Sequence, residues 1–171
     1  MMKNPMIFMM TKISMMTTNF YYQPSGNLCG PTCIFMVHQL KNNPNSPIYK
    51  QVTQSKANLM IEEIGEICGT DWVVGTPPER MVKGMGFMGL RFIEFQCIPR
   101  PYELLKQTLD NNNFTILRTI TKGIPHWIVV VGYDKLGYNI FDPWLGPIQY
   151  TESELDSVWS PREYQYYEIA K

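Results

Sequence analysis

The chain has 171 residues, 44% of them hydrophobic and 18% charged, and its fifteen basic and fifteen acidic side chains leave a formal net charge of +0. A chain of this length sits at the common single-domain size and can bury one substantial core. The balanced charge provides no basic surface of the kind nucleic acid or an anionic membrane would need, so neither is an expected partner.

The opening stretch "MMKNPMIFMMTKISMMTTNF" has the look of a signal peptide, but Lys12 interrupts its apolar run and no small-residue cleavage site follows. It is read as a Met-rich arm over residues 1–17, leaving one domain over residues 18–171. No run approaches the roughly 20 apolar residues of a transmembrane helix. From Gly30 to Lys41 the positions Cys33, Met36, Val37 and Leu40 keep helical spacing, and Pro31 suits a first turn. "NNPNSP" then reads as a loop.

A second helix is expected over Ser55 to Cys68, where Ala57, Met60, Ile61, Ile64, Ile67 and Cys68 form one apolar stripe. "GTPPERMVKGMG" predicts a short third helix capped by Thr76 with Pro77 just inside it. "LRFIEFQC" alternates as a strand does, and "PYELLKQTLDNN" is a helix ended by its asparagines. Beyond residue 112 the character changes. "FTILRTI", "HWIVVVGYD", "YNIFD" and "YQYYEIA" are rich in β-branched and aromatic residues and predict an antiparallel sheet. Thr151 and Glu154 stand at capping-box spacing, so "TESELDSVW" is a short helix between the last two strands. Helices first and an antiparallel sheet second is an α+β pattern.

Four cysteines, Cys29, Cys33, Cys68 and Cys97, match no small secreted disulfide framework, and a reducing, cytoplasmic setting is the expectation. A structural zinc site needs four nitrogen or sulfur ligands in tight pairs, whereas Cys68 and Cys97 stand apart and His38 has no local partner. Cys33, Cys68 and Cys97 are most simply core residues. Cys29 differs because it precedes the apolar stripe, at a helix start whose free N–H groups and positive dipole end favour a thiolate and can hold an oxyanion. An inert cysteine at a helix start remains the alternative.

A cysteine nucleophile needs a base, and the base needs an orienting group. His38 lies more than two turns along the helix from Cys29 and is read as a surface or partly buried residue. His126 opens the apolar strand, with its ring expected at a sheet edge, and Asp142 ends the next strand. If "DKLG" closes a hairpin between them, the pairing register brings His126 and Asp142 together. Gln23, six residues before Cys29, carries an amide that suits an oxyanion, although a solvent-exposed glutamine is the simpler reading of that residue alone. Sheet packing is likewise the simpler reading of Trp127, Tyr133 and Trp144.

Taken in order, "QPSGNLCGPT", "HWIVVVGYD" and "IFDPW" resemble the C39-like branch of papain-fold cysteine peptidases. The likeness runs over most of the chain from about residue 18 and includes "YELLKQTLDNNNFTILR" and the closing helix "ESELDSVW". It implies a papain-like fold with N-terminal helices on a C-terminal antiparallel sheet, a peptide or protein substrate, and no metal or organic cofactor. It further implies Cys29 as nucleophile, His126 as general base and acid, Asp142 as its orienter and Gln23 as an oxyanion donor. Bacteriocin-processing members are fused to membrane transporters and this sequence shows no membrane part, so cleavage after a double glycine is not implied. Papain-fold relatives such as phytochelatin synthases use the same order of residues for peptidyl transfer. A cysteine-dependent acyl transferase or amidase, and a non-catalytic peptide-binding module, therefore stand beside the peptidase reading.

Overall fold

The computed structural model of the chain describes residues 19–42 and 52–171. The Met-rich arm of residues 1–17 and most of the "NNPNSP" loop lie outside the described residues. Five helices follow in chain order: α1 (Cys29–Asn42), α2 (Gln54–Cys68), α3 (Pro78–Phe87), α4 (Tyr102–Asp110) and α5 (Glu152–Trp159). They are interleaved with six strands: β1 (Phe92–Phe95), β2 (Phe114–Thr121), β3 (Ile124–Asp134), β4 (Gly137–Asp142), β5 (Gly146–Tyr150) and β6 (Tyr166–Ile169).

The strands form one antiparallel sheet in the order β1-β6-β2-β3-β4-β5. Helices cover both of its faces. Leu40, Ile61, Ile64, Met81 and Met85 of α1 to α3 pack with Ile116, Trp127, Val129 and Phe141 of the sheet. On the other side Leu105, Leu109, Leu155 and Trp159 of α4 and α5 pack with Leu117, Ile128, Val130 and Ile140. This double cover explains why β3 reads as the unbroken apolar run "WIVVV" although its neighbours are antiparallel: residues of both parities are buried. α1 is apolar nearly all round because it touches α2, α3 and β3 together.

Three local expectations need correction. The helix α3 is entered through Pro77 in extended conformation and has no side-chain cap; the Thr76 hydroxyl bonds Thr70 Oγ1 at 2.7 Å instead. "GPIQY" forms β5, an unanticipated edge strand whose Gly146 and Pro147 pair with the end of β4. Cys97 is exposed, with φ of 60°, in the loop after β1, because the strand ends at Phe95 before the cysteine can turn into the core. The break at residue 112 is also softer than expected, since β1 joins the same sheet by pairing with β6. The capping box of α5 forms as its spacing predicts, with Thr151 and Glu154 each accepting from the other's backbone. No helix of the described residues is long and apolar enough to cross a membrane.

Candidate active site

Cys29 is the first residue of α1, and as such its N–H has no acceptor one turn back within the helix. The segment before it is folded tightly: Leu28 N donates to Ser25 O at 3.3 Å, and Ser25 Oγ pairs with Asn27 Oδ1 at 2.8 Å. Gly30 is required by what surrounds this turn. A Cβ there would stand 2.6 Å from Met81 Sδ, 3.1 Å from Thr76 Cβ and 3.2 Å from Trp127 Cδ1. The nucleophile candidate therefore sits where α1 is pressed against the 76–81 segment and β3. Trp127 holds that arrangement, its indole N–H donating to Thr76 O at 2.8 Å.

His126 is the third residue of β3, an interior strand, and is 4% exposed. His126 lies ahead of the part of β3 that pairs with β4, which begins at Val129, and has its cross-strand partner in Thr119 of β2. The β3–β4 hairpin register carries Asp142 to the same end of the sheet. His126 Nε2 lies 2.8 Å from Asp142 Oδ1. A carboxylate can only accept, so Nε2 carries the proton and Nδ1 is the nitrogen left for a second partner. Oδ1 also accepts from Trp144 N at 2.8 Å and Leu145 N at 3.0 Å, while Oδ2 is buried without a hydrogen-bond partner among the described residues.

The electrostatics of the imidazole follow from this packing. Burial by itself lowers its pKa, but hydrogen bonds to Asp142 and Cys29, with the electrostatic influence of the two groups, outweigh that and push it up to about 9. Cys29, His126 and Asp142, separated in sequence, thus meet in one buried cluster, with the ring between the sulfur and the carboxylate. Cys33 lies fully buried behind it. Burial first, then the nearby charges of Cys29 and Asp142, hold its thiol well above the ordinary range, so it stays protonated. His38 is partly buried on α1, away from this cluster.

Gln23 reaches the site's margin in a different pose from the one expected. Its backbone N–H donates to Pro143 O at 3.0 Å, which ties the loop before Cys29 to the residue after Asp142. Its side-chain Nε2, however, donates to Ser25 O at 2.6 Å, and its Oε1 is buried without a partner among the described residues. The amide is near but turned inward. Trp144, for which sheet packing was the simpler reading, is 43% exposed and stands edge-on to the His126 ring at 6.0 Å. Lys122 Nζ lies 5.2 Å from the centroid of the same indole. The position of Trp144 two residues beyond Asp142, within an Asx turn, was the signal for its exposure. Trp127 is buried, as expected for a packing residue.

No family model matches the sequence, and no curated protein matches it either. Solved structures do resemble it. The peptidase domain of Streptococcus ComA, a bi-functional ABC transporter involved in quorum sensing, is 19% identical over 88% of this chain and 96% of that one, with a TM-score of 0.61. A double glycine motif protease from an AMS/PCAT transporter, solved with its leader peptide, is 18% identical over 87% of this chain and 89% of that one, at a TM-score of 0.60. A Bacillus anthracis protein described as a C39-like peptidase is 12% identical over 91% and 96% of the two chains, at 0.63. With helices on both faces of its antiparallel sheet and these neighbours, the chain has the α+β, papain-like fold of C39 peptidase domains.

Proposed function

We propose that the protein is a cysteine peptidase with Cys29 as nucleophile, His126 as general base and acid, and Asp142 as the group that orients His126. The observation that carries this reading is the buried imidazole between Asp142 and the sulfur of Cys29 at the start of α1. His126 holds at Nδ1 the proton that the Cys29 thiol gives up, and the thiolate attacks a peptide carbonyl carbon. The oxyanion forms beside the Cys29 N–H, where the positive end of the α1 dipole favours it. Imidazolium then gives its proton to the departing amine as the C–N bond breaks, leaving a thioester. Water attacks the thioester with His126 as base, the acid departs, and the proton returns to sulfur. Asp142 keeps Nε2 protonated throughout and so fixes which nitrogen faces the substrate. Gln23 joins as an oxyanion donor once its amide exchanges Ser25 O for the substrate oxygen, a side-chain rotation. No step calls for a metal or organic cofactor.

Alkylation tests the nucleophile. In a Cys97→Ser background, which removes the exposed thiol, short iodoacetamide pulses at neutral pH label Cys29, and His126→Ala slows that labelling at least tenfold. Labelling of Cys29 no faster than Cys68 sinks the assignment. Mass spectrometry of a peptide library then tests the reaction: shortened peptides in water alone support hydrolysis, and products that need an added amine acceptor identify a transferase instead. No processing under either condition, with Cys29 still reactive, points to the non-catalytic alternative.

A further inference from the structure

The segment that walls the Cys29 turn also walls a second, polar cleft of ≈ 650 Å³. Pro77 and Pro78, directly after Thr76, form one side, and the rest comes from β1, β2 and the turn before β6. Arg118 of β2 and Arg162 of that turn are half-buried within it, whereas Glu79, Glu94 and Glu163 are exposed around it. Among the described residues neither arginine has a carboxylate within ion-pair distance. Arg118 Nη1 donates to Gln165 Oε1 at 3.0 Å, and Gln165 Nε2 in turn holds Glu94 at 2.8 Å. Arg162 Nε is buried with no hydrogen-bond partner among the described residues. Burial, and then the like charge of Arg162, hold Arg118 below the ordinary arginine range, so the cleft keeps two guanidinium groups together at a cost that an anion would offset.

Its place relative to the nucleophile is fixed by the sheet. Arg118 is the direct cross-strand partner of Trp127, the residue after His126. Such partners share one face of the sheet about 5 Å apart. Trp127 itself contacts the α1 turn near Gly30 and bonds Thr76, so it links the start of α1 to the strand that carries Arg118.

We propose that the cleft is a specificity subsite that receives a carboxylate of the substrate between Arg118 and Arg162, from an aspartate or glutamate close to the scissile bond. The assignment rests on the peptidase reading of Cys29. Three exposed glutamates share the lining with the two arginines, which disfavours a run of acids against a single one. A planar fork on each arginine gives the bidentate geometry a carboxylate accepts.

The test uses Cys29→Ala protein and degenerate octapeptide amide pools, each with one position fixed as glutamate or as glutamine, read by competition in fluorescence anisotropy. At one or two positions the glutamate pool binds about tenfold more tightly, as one charge-assisted pair warrants. That advantage shrinks with added salt and disappears in Arg118→Gln/Arg162→Gln protein. Equal affinity of the two pools at every position overturns the proposal without any arginine variant, as does a glutamate preference that survives in a double variant with a native melting curve. Pools ending in a free acid distinguish a terminal carboxylate from a side chain, and both belong to the same subsite chemistry. Cleavage of the pools by protein with Cys29 intact separates the two readings. Cleavage without acid preference rejects the subsite and leaves the peptidase; acid-selective binding without cleavage rejects the peptidase and leaves the subsite.

Discussion

Replacing Asp142 by asparagine separates charge from geometry at the imidazole. Asparagine Oδ1 still accepts from Trp144 N, Leu145 N and His126 Nε2, so the turn and the ring orientation survive while the negative charge is lost. The rise of His126 from 6.5 to about 9 is opposed by burial and driven by Asp142 and Cys29 together, and amounts to roughly 3 kcal/mol in favour of the charged ring. Without the Asp142 charge its midpoint falls by about one to three pH units. The chain has two histidines, so two ring resonances report the whole titration by NMR. His38, lowered by burial and then by Lys41, titrates below 6.5 and leaves the upper range to His126. The same shift has a sign in stability. Between pH 6.5 and about 9 the folded state binds more protons than the unfolded one, so the contribution of His126 is complete below 6.5 and is lost as pH rises through about 9. Urea midpoints that fall across this window in the parent and flatten in Asp142→Asn complete the assay. A His126 resonance titrating near 6.5, or one that Asp142→Asn leaves in place, refutes the electrostatic account.

Other expected outcomes follow from the same geometry. Gln23→Ala lowers kcat on the order of 10²-fold if the amide turns to the oxyanion, with KM little changed; an unaltered kcat confines Gln23 to its bond with Ser25. Gly30→Ala forces Met81, Thr76 and Trp127 apart and lowers the unfolding free energy by about 1–3 kcal/mol in urea titrations, slowing Cys29 alkylation as the α1 turn shifts. Thr151→Ala removes the cap of α5 and costs about 1 kcal/mol, read by the same titration, while alkylation of Cys29 stays at the parent rate.

Much of the site was legible because two short-range patterns position it. A cysteine just ahead of an apolar stripe reads as a helix start, and a four-residue turn between two apolar runs sets a register that joins His126 to Asp142. Burial on both faces hid other features. β5 was missed because Pro147 and Gly146 are turn residues by propensity, and only pairing with β4 makes "GPIQY" a strand. The inward pose of Gln23 depends on a loop carbonyl that no spacing announces. Trp144 was read as packing because the exposure of one ring is decided by the turn that Asp142 fastens. The pairing of Arg118 with Arg162 joins a mid-strand residue to a turn beside β6, and each alone reads as an ordinary surface charge.

Cys29 opens the first described helix, and His126 arrives on the third strand, beyond three further helices and two strands. The cluster is therefore made of contacts distant along the chain, of the kind whose loop-closure entropy is met late in folding. Until β3 and β4 dock on α1, Cys29 has neither the imidazole nor the carboxylate beside it. A nascent or partly folded chain then lacks the assembled cluster of Cys29, His126 and Asp142, and the rate of Cys29 alkylation after dilution from denaturant becomes a clock for the docking of the sheet on the helix.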